Sequence, residues 1–228
     1  MSEHGAWSPD RLADCPRESL GEPSSLKPAV WKVAGPDGPL VVKNISALPG
    51  LTRWIGRYLL RRERRALERV QGLHTVPVLE DNAGRDALVY RWLTGQRPDA
   101  DAIAAGGRRI SEELTRILAK FHARRVYHLD LHRKNNLVLG PDGELSVIDF
   151  GAALTPGPIA NALFGRLLAW VDLQAPLKYL ARYCPDELTL AEARAVCRRH
   201  WLRRLWIFTS SSTILEYRAA RDRLARPS

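Results

Sequence analysis

Two stretches, "VYHLDLHRKNNLVL" at 126–139 and "SVIDFGAAL" at 146–154, decide how this chain is read. Each begins as a strand-like apolar run and leads into a carboxylate, Asp130 in the first and Asp149 in the second. Asn135 follows shortly after Asp130. Two carboxylates and an amide at strand ends are the residue types that hold a divalent metal and a phosphate, because magnesium takes hard oxygen donors. The same residue types also make polar turns on a surface. The rest of the chain has to choose between these.

Working outward, "AVWKVAGPDGPLVVKN" (29–44) predicts two short strands around the turn GPDG, with Lys43 at the end of the second. "TRWIGRYLLRRERRALERVQG" (52–72) has no internal proline, and Ile55, Leu59, Ala66, Leu67 and Val70 roughly follow helical spacing. Gly72 is placed to end that helix. "HTVPVLED" and "DALVYRWLTG" read as further strands, and "QRPDADAIAAGG" as a polar connection. In "SEELTRILAKFHARR", Leu114, Ile117, Leu118 and Phe121 form the stripe of a packed helix, with Ser111 as its N-cap and Glu112 and Glu113 at its positive end. "VYHLD", "NLVLG" and "LSVIDF" read as short strands, the last two joined by the turn GPDGE. From about residue 155 the pattern is helical, punctuated by Pro156, Pro158, Pro176 and Pro185.

The bulk numbers are those of a globular chain able to bury a real core: 228 residues, 45% hydrophobic and 26% charged. A net charge of +10 favours acidic partners such as phosphates, nucleic acid or an anionic membrane face. Cys15, Cys184 and Cys197 are scattered and odd in number, which excludes a disulfide framework and a zinc ribbon. His128 and His132 do not make a zinc site either. The N-terminus lacks a secretory pattern, and no long uncharged apolar stretch offers a spanning helix, so a cytoplasmic protein is expected. Residues 53–69 hold seven arginines against two glutamates, and 194–226 nine against two acids. Interleaved Trp201, Trp206, Ile207 and Phe208 would let the tail lie on an anionic membrane at its inner face; the alternative is an ordinary packed helix with its arginines in water. No recognition motif supports specific nucleic-acid binding.

In its ordered elements the sequence resembles the protein-kinase-like superfamily. "HLDLHRKNNLVL" is similar to the loop H-x-D-x-x-x-x-N, "VIDFGAA" to the D-F-G element, and "LVVKN" to the strand bearing the phosphate-pairing lysine. "RRERRALERVQGLHTVP" resembles the helix that follows, and "ALVYRWLTG" the hinge strand beside adenine. The match spans about residues 25–155. It implies an α+β, bilobal kinase-like fold: a loose lead-in at 1–22, a small β-rich N-lobe with one main helix at 23–92, and a shortened, mostly helical C-lobe at 93–228. It implies ATP and Mg²⁺ as cofactors, Asp130 as the group that orients and deprotonates the acceptor hydroxyl, and Asn135 and Asp149 as metal ligands. Lys43 would pair the phosphates, held by Glu63 or, failing that, Glu68. Tyr90 and Trp92 would flank the nucleotide.

The sequence departs from the family pattern in three places. No G-x-G-x-x-G loop is present; "LGEPSSLKPAVWKV" stands there, so backbone amides near Ser24 and Ser25 would have to cover the phosphates. Leu129 occupies the position where regulated protein kinases carry arginine, and no A-P-E follows Gly151. These departures point to compact bacterial relatives, the lipopolysaccharide-core sugar kinases and RIO-type kinases. The favoured acceptor is a glycolipid sugar hydroxyl, followed by a protein serine or threonine. A small-molecule phosphotransferase and a pseudokinase that only binds partners are the remaining readings.

Overall fold

In the computed structural model, residues 15–21, 27–35, 37–80, 84–203 and 211–225 are described, with side chains up to 198 and again from 215. The chain is α+β, with an antiparallel five-stranded sheet first and a mostly helical part after it. Strands β1 (Arg17–Ser19), β2 (Ala29–Gly35), β3 (Gly38–Asn44), β4 (Leu79–Glu80) and β5 (Ala87–Arg91) lie in the order β1-β2-β3-β5-β4. The hairpin read from 29–44 is present, with Trp31 opposite Val42 and Val30 opposite Lys43. Side chains alternate across a strand. Leu40 and Val42 therefore join Val33, Ala87 and Val89 on one face of the sheet. Val41 and Lys43 face the other way, beside Leu88 and Tyr90 of β5, toward the main core.

Helix α1 (Gly50–Val70) packs against that inner face. Its buried line is Gly56, Leu60, Glu63, Leu67 and Val70, so Glu63 points inward with the apolar residues. Glu68 lies on the exposed side, which removes it as a partner for Lys43. Gln71 ends the helix by donating to the carbonyls of Leu67 and Pro77 and accepting from Leu79 N–H, tying α1 to β4.

Helix α2 runs Ala100–Ala123, longer than the pattern predicts. The stretch expected to be a polar connection is helical from residue 100, capped by Asp99, whose carboxylate accepts from Ala102 N–H at 2.8 Å. Gly107, at φ 45° and ψ −132°, is not helical, and the element is two helical segments joined across a kink there. Ser111 is therefore not an N-cap: it is buried within the helix, and its hydroxyl donates to the Pro176 carbonyl. Strands β6 (Leu137–Leu139) and β7 (Leu145–Val147) form a separate hairpin. "VYHLD" makes only an isolated bridge, Tyr127 to Leu154, and no strand. Four helices follow: α3 (Pro158–Asp172), α4 (Gln174–Tyr183), α5 (Leu190–Arg203) and α6 (Ser211–Ala225).

The main core is continuous from Val41 and Ile45 through Leu60, Leu67 and Phe121 to Phe150 and Tyr179. It joins the sheet, α1, α2 and α4 into one body. Fully burying a side chain such as Phe121 or Phe150, whose rings lie 5.5 Å apart, contributes about 1.5–3 kcal/mol each. No helix among the described residues is long and apolar enough to cross a membrane.

Candidate functional site

Three charged side chains from distant parts of the chain meet beneath the sheet. The inward turn of β3 aims Lys43 at α1, and the buried line of α1 aims Glu63 back at it. The Lys43 ammonium donates to Glu63 Oε1 at 2.6 Å and to Asp149 Oδ1 at 2.8 Å. Burial disfavours charge on Lys43, but the negative groups around it (Tyr90 if it were ionised, Glu63 and Asp149) outweigh that and hold its pKa well above the ordinary value. Tyr90 is itself pushed up by burial and stays a neutral phenol, so the two carboxylates hold the ammonium at neutral pH. Glu63 is raised, first by burial and further by Asp149, with Lys43 opposing. Burial also acts to raise Asp149, yet the charge and hydrogen bond of Lys43 bring it below its ordinary value. Two carboxylates face the Lys43 ammonium here, and the Arg62 guanidinium also acts on Glu63.

Asp149 sits in the left-handed region at φ 63° and ψ 72°. For a residue with a Cβ this costs about 1–2 kcal/mol, a strain retained only where the surroundings enforce it. The enforcement is visible. Phe150 is fully buried beneath Asp149, and Arg62 of α1 donates to the Gly151 carbonyl at 2.5 Å.

Asp130 is fixed by other means. Its carboxylate and its backbone carbonyl both accept from the Asn136 amide, at 3.0 and 2.9 Å. His132 and Arg133 lie 3.4 Å from its other oxygen. The amide expected at the metal, Asn135, is exposed; its neighbour Asn136 is buried against Asp130.

Asp172 escaped the sequence reading altogether. It is buried at the end of α3, and its carboxylate accepts from the backbone N–H groups of His128 at 2.9 Å and Leu129 at 2.7 Å, and from His122 Nε2 at 3.0 Å. Leu129 also has a positive φ, 62°, and these amide bonds offset its strain. His128 is buried and held neutral: burial lowers its pKa, against the opposing charge of Asp172. Its Nε2 donates to the Ile148 carbonyl at 3.1 Å and its ring packs edge-on to Phe150, linking the Asp130 loop to the Asp149 strand end. Tyr179 adds a hydrogen bond from its hydroxyl to the Leu131 carbonyl at 2.5 Å.

A cavity of about 500 Å³ opens beside the Lys43 cluster; Asp130, Asn136 and Asp172 are not among the residues that line it. Val30 and Val41 wall it on the sheet side, Val138 and Ile148 face them, and Tyr90 to Leu93 form an edge; Lys43, Glu63 and Asp149 also line it. Mostly apolar side chains line the cavity together with the charged Lys43, Glu63 and Asp149, the mixture that small-molecule sites use. Tyr90 and Trp92, both expected near a nucleotide, line the cavity. Ser24 and Ser25 lie outside the described residues.

Among the described residues no three carboxylate, histidine or cysteine side chains gather as a ready metal cage. The half-exposed Asp149 and the side-chain carbonyl of Asn136 instead fit the way magnesium is held, by one or two protein oxygens together with water and phosphate. Comparison with protein-family models and with curated proteins returns no match, so this geometry carries the functional argument by itself.

Proposed function

We propose that the chain is an ATP- and magnesium-dependent phosphotransferase of the protein-kinase-like superfamily, acting on a hydroxyl acceptor. One observation carries this reading: Lys43 is held between Glu63 and Asp149 on the lining of an apolar, heterocycle-sized cavity. A buried lysine kept charged by two carboxylates is a poor stability device, because its desolvation is expensive. It is well suited to meeting a triphosphate.

In this reading the base stacks between Val30 and Val41 on one side and Val138 and Ile148 on the other. Lys43 contacts the phosphates, and Glu63 keeps it in place. Asp149 and Asn136 would hold Mg²⁺, with Asn136 taking the role first expected of Asn135. Bound magnesium neutralises charge building on the transferring phosphoryl group. Asp130 accepts the hydrogen bond of the acceptor hydroxyl. As that oxygen forms its bond to the γ-phosphorus, the bond to the β,γ-bridging oxygen breaks, ADP leaves, and the hydroxyl proton passes to the Asp130 carboxylate. Asp172 holds the loop by its amides, so the position of Asp130 is set before substrate arrives.

For the acceptor, a sugar hydroxyl on an anionic glycolipid is favoured. His132 and Arg133 are exposed beside Asp130, and no acidic residue occurs from Leu131 to Gly140. The test is transfer of label from γ-labelled ATP, with Mg²⁺, into glycolipid, protein and small-molecule fractions of a host extract, using the wild type and Asp130→Asn. Asp130-dependent label in glycolipid is expected. Label confined to protein or to small molecules overturns the acceptor. Absence of Asp130-dependent label from every fraction overturns phosphotransfer.

A further inference from the structure

Helix α3 exposes a continuous run of large apolar side chains, as α1 also does with Leu51, Trp54, Ile55, Tyr58 and Leu59. Of the fifteen residues of α3 only Gly165 and Asp172 are buried. Ile159 is 80% exposed, Leu163 70% and Leu167 57%, with Phe164, Trp170 and Val171 also outward. At 3.6 residues per turn these six side chains fall within about 140° of the helix circumference, a single apolar face. Scattered exposed leucines need no explanation, but a continuous face of six large apolar groups does.

The position of the helix matters as much as its surface. Near its start, Asn161 accepts from the Tyr127 hydroxyl at 2.7 Å, and at its end Asp172 accepts from the amides of His128 and Leu129. Both ends are thus pinned to the stretch that carries Asp130. The face cannot move far from the site.

Charge selects the occupant. From Phe150 to Pro185 the only acidic residue is Asp172, which is buried, whereas Arg166 and Arg182 are exposed. The adjacent loop from Leu131 to Gly140 is also free of acids and exposes His132 and Arg133. A second copy of this chain would bring the same cations and no acids to the contact, on a protein of net charge +10, and like charges would oppose it. A surface both apolar and anionic complements the face on both counts.

We propose that the exposed face of α3 docks on an anionic lipid bilayer, lying in the interface with Leu163 and Leu167 among the acyl chains and Arg166 at the headgroups. The docking stands on this surface chemistry. Its consequence, that Asp130 is presented to hydroxyls of membrane-held acceptors, rests on the phosphotransfer reading. Trp201, Trp206, Ile207 and Phe208 of the arginine-rich tail lie outside the residues whose side chains are described.

The experiment is flotation of the full chain with vesicles of pure phosphatidylcholine and of phosphatidylcholine mixed with phosphatidylglycerol, alongside sizing in solution. The wild type is expected to float with the anionic vesicles only, and to be released by salt. The double variant Leu163→Gln, Leu167→Gln should lose about tenfold or more in partitioning, the scale expected from withdrawing two leucines from an apolar phase. Both positions are exposed, so its melting temperature should stay unchanged. Val78→Gln and Leu215→Gln, at exposed apolar positions elsewhere, should float as the wild type does. Failure of the wild type to float overturns the proposal, as does undiminished flotation of the double variant. Loss of flotation in Leu215→Gln alone assigns docking to α6 and also overturns it. A wild-type dimer that becomes monomeric in the double variant overturns it in favour of self-association. Flotation without Asp130-dependent labelling leaves the docking face standing and removes the phosphotransfer reading; labelling without flotation does the reverse.

Discussion

On one side of the site, Lys43 meets Glu63 and Asp149: three charged side chains from a strand, a helix and a loop, fixed by mutual attraction. In the 128–136 loop, Asp130 has exposed His132 and Arg133 at 3.4 Å, but its closer bonds are to neutral amides: Asn136 bonds it directly, and the His128 and Leu129 N–H groups anchor the backbone before it to Asp172. The two arrangements respond differently to disturbance. A cluster of charges tolerates small movements but changes with protonation and with an arriving cation. Amide bonds to a buried carboxylate are directional and leave the loop a single geometry. The first arrangement suits a group that must trade partners when phosphate binds, and the second a group that must not move.

Removing charge from the first side should have the largest effect. Lys43→Met is expected to lower kcat/KM about 100- to 1000-fold, the usual cost of losing one preorganised electrostatic contact, with the greater part in kcat. Steady-state kinetics with MgATP as the varied substrate checks this, and a loss under tenfold would remove Lys43 from the phosphate site. Next comes the brace. Asp172→Ala leaves two backbone N–H groups without their acceptor and should cost about 3 kcal/mol in urea unfolding. A change below about 1 kcal/mol would mean that water replaces the carboxylate, and the contrast between the two sides would fail.

The neighbouring asparagines sharpen the comparison further. Asn136→Ala should cost about tenfold or more in kcat, because it frees Asp130 and removes a candidate metal oxygen, whereas Asn135→Ala should change kcat less than about twofold. The reverse result would return the metal role to Asn135. The smallest effect concerns pH. The pKa of His128 is lower in the folded state than its ordinary 6.5, so the unfolded chain binds more protons below that value. The stability it contributes is fully present above about pH 6.5 and is lost as the pH falls, by at most about 1.4 kcal/mol per pH unit. Melting curves from pH 7 to pH 5 should fall for the wild type and slope less for His128→Phe.

The sequence made some of this legible and concealed the rest for physical reasons. The hairpin at 29–44 and helix α1 were readable because a period of two or of 3.6 is a local property. Glu63 is preferred to Glu68 through the family resemblance; the apolar pattern is a poorer guide to the buried line, since Ile55 and Leu59 are exposed while Gly56 and Leu60 are buried. The start of α2 was missed because a polar, glycine-containing stretch has weak helix propensity, and packing of Ile103 and Ile110 overrides it. Ser111 has the chemistry of a cap but the surroundings of a core residue. Motif spacing points to Asn135 and does not record how a 3₁₀ turn at Lys134–Asn136 rotates consecutive side chains, which makes Asn136 the one bonded to Asp130. Asp172 had no local signal at all, since its partners are backbone amides 43 and 44 residues earlier.

That separation has a consequence during synthesis. Domains generally fold from the N-terminus as the chain emerges from the ribosome. The strands of the sheet all lie before residue 92 and can pair early, although α1 also packs on the Phe150–Ala152 turn. The stretch around Leu129 cannot settle into its left-handed turn until Asp172 has been made and has reached it. A nascent chain stalled before that point would carry Lys43 beside Glu63 and yet leave Asp130 without a fixed position. The order of translation thus brings Lys43 to Glu63 before Asp130 has a fixed position.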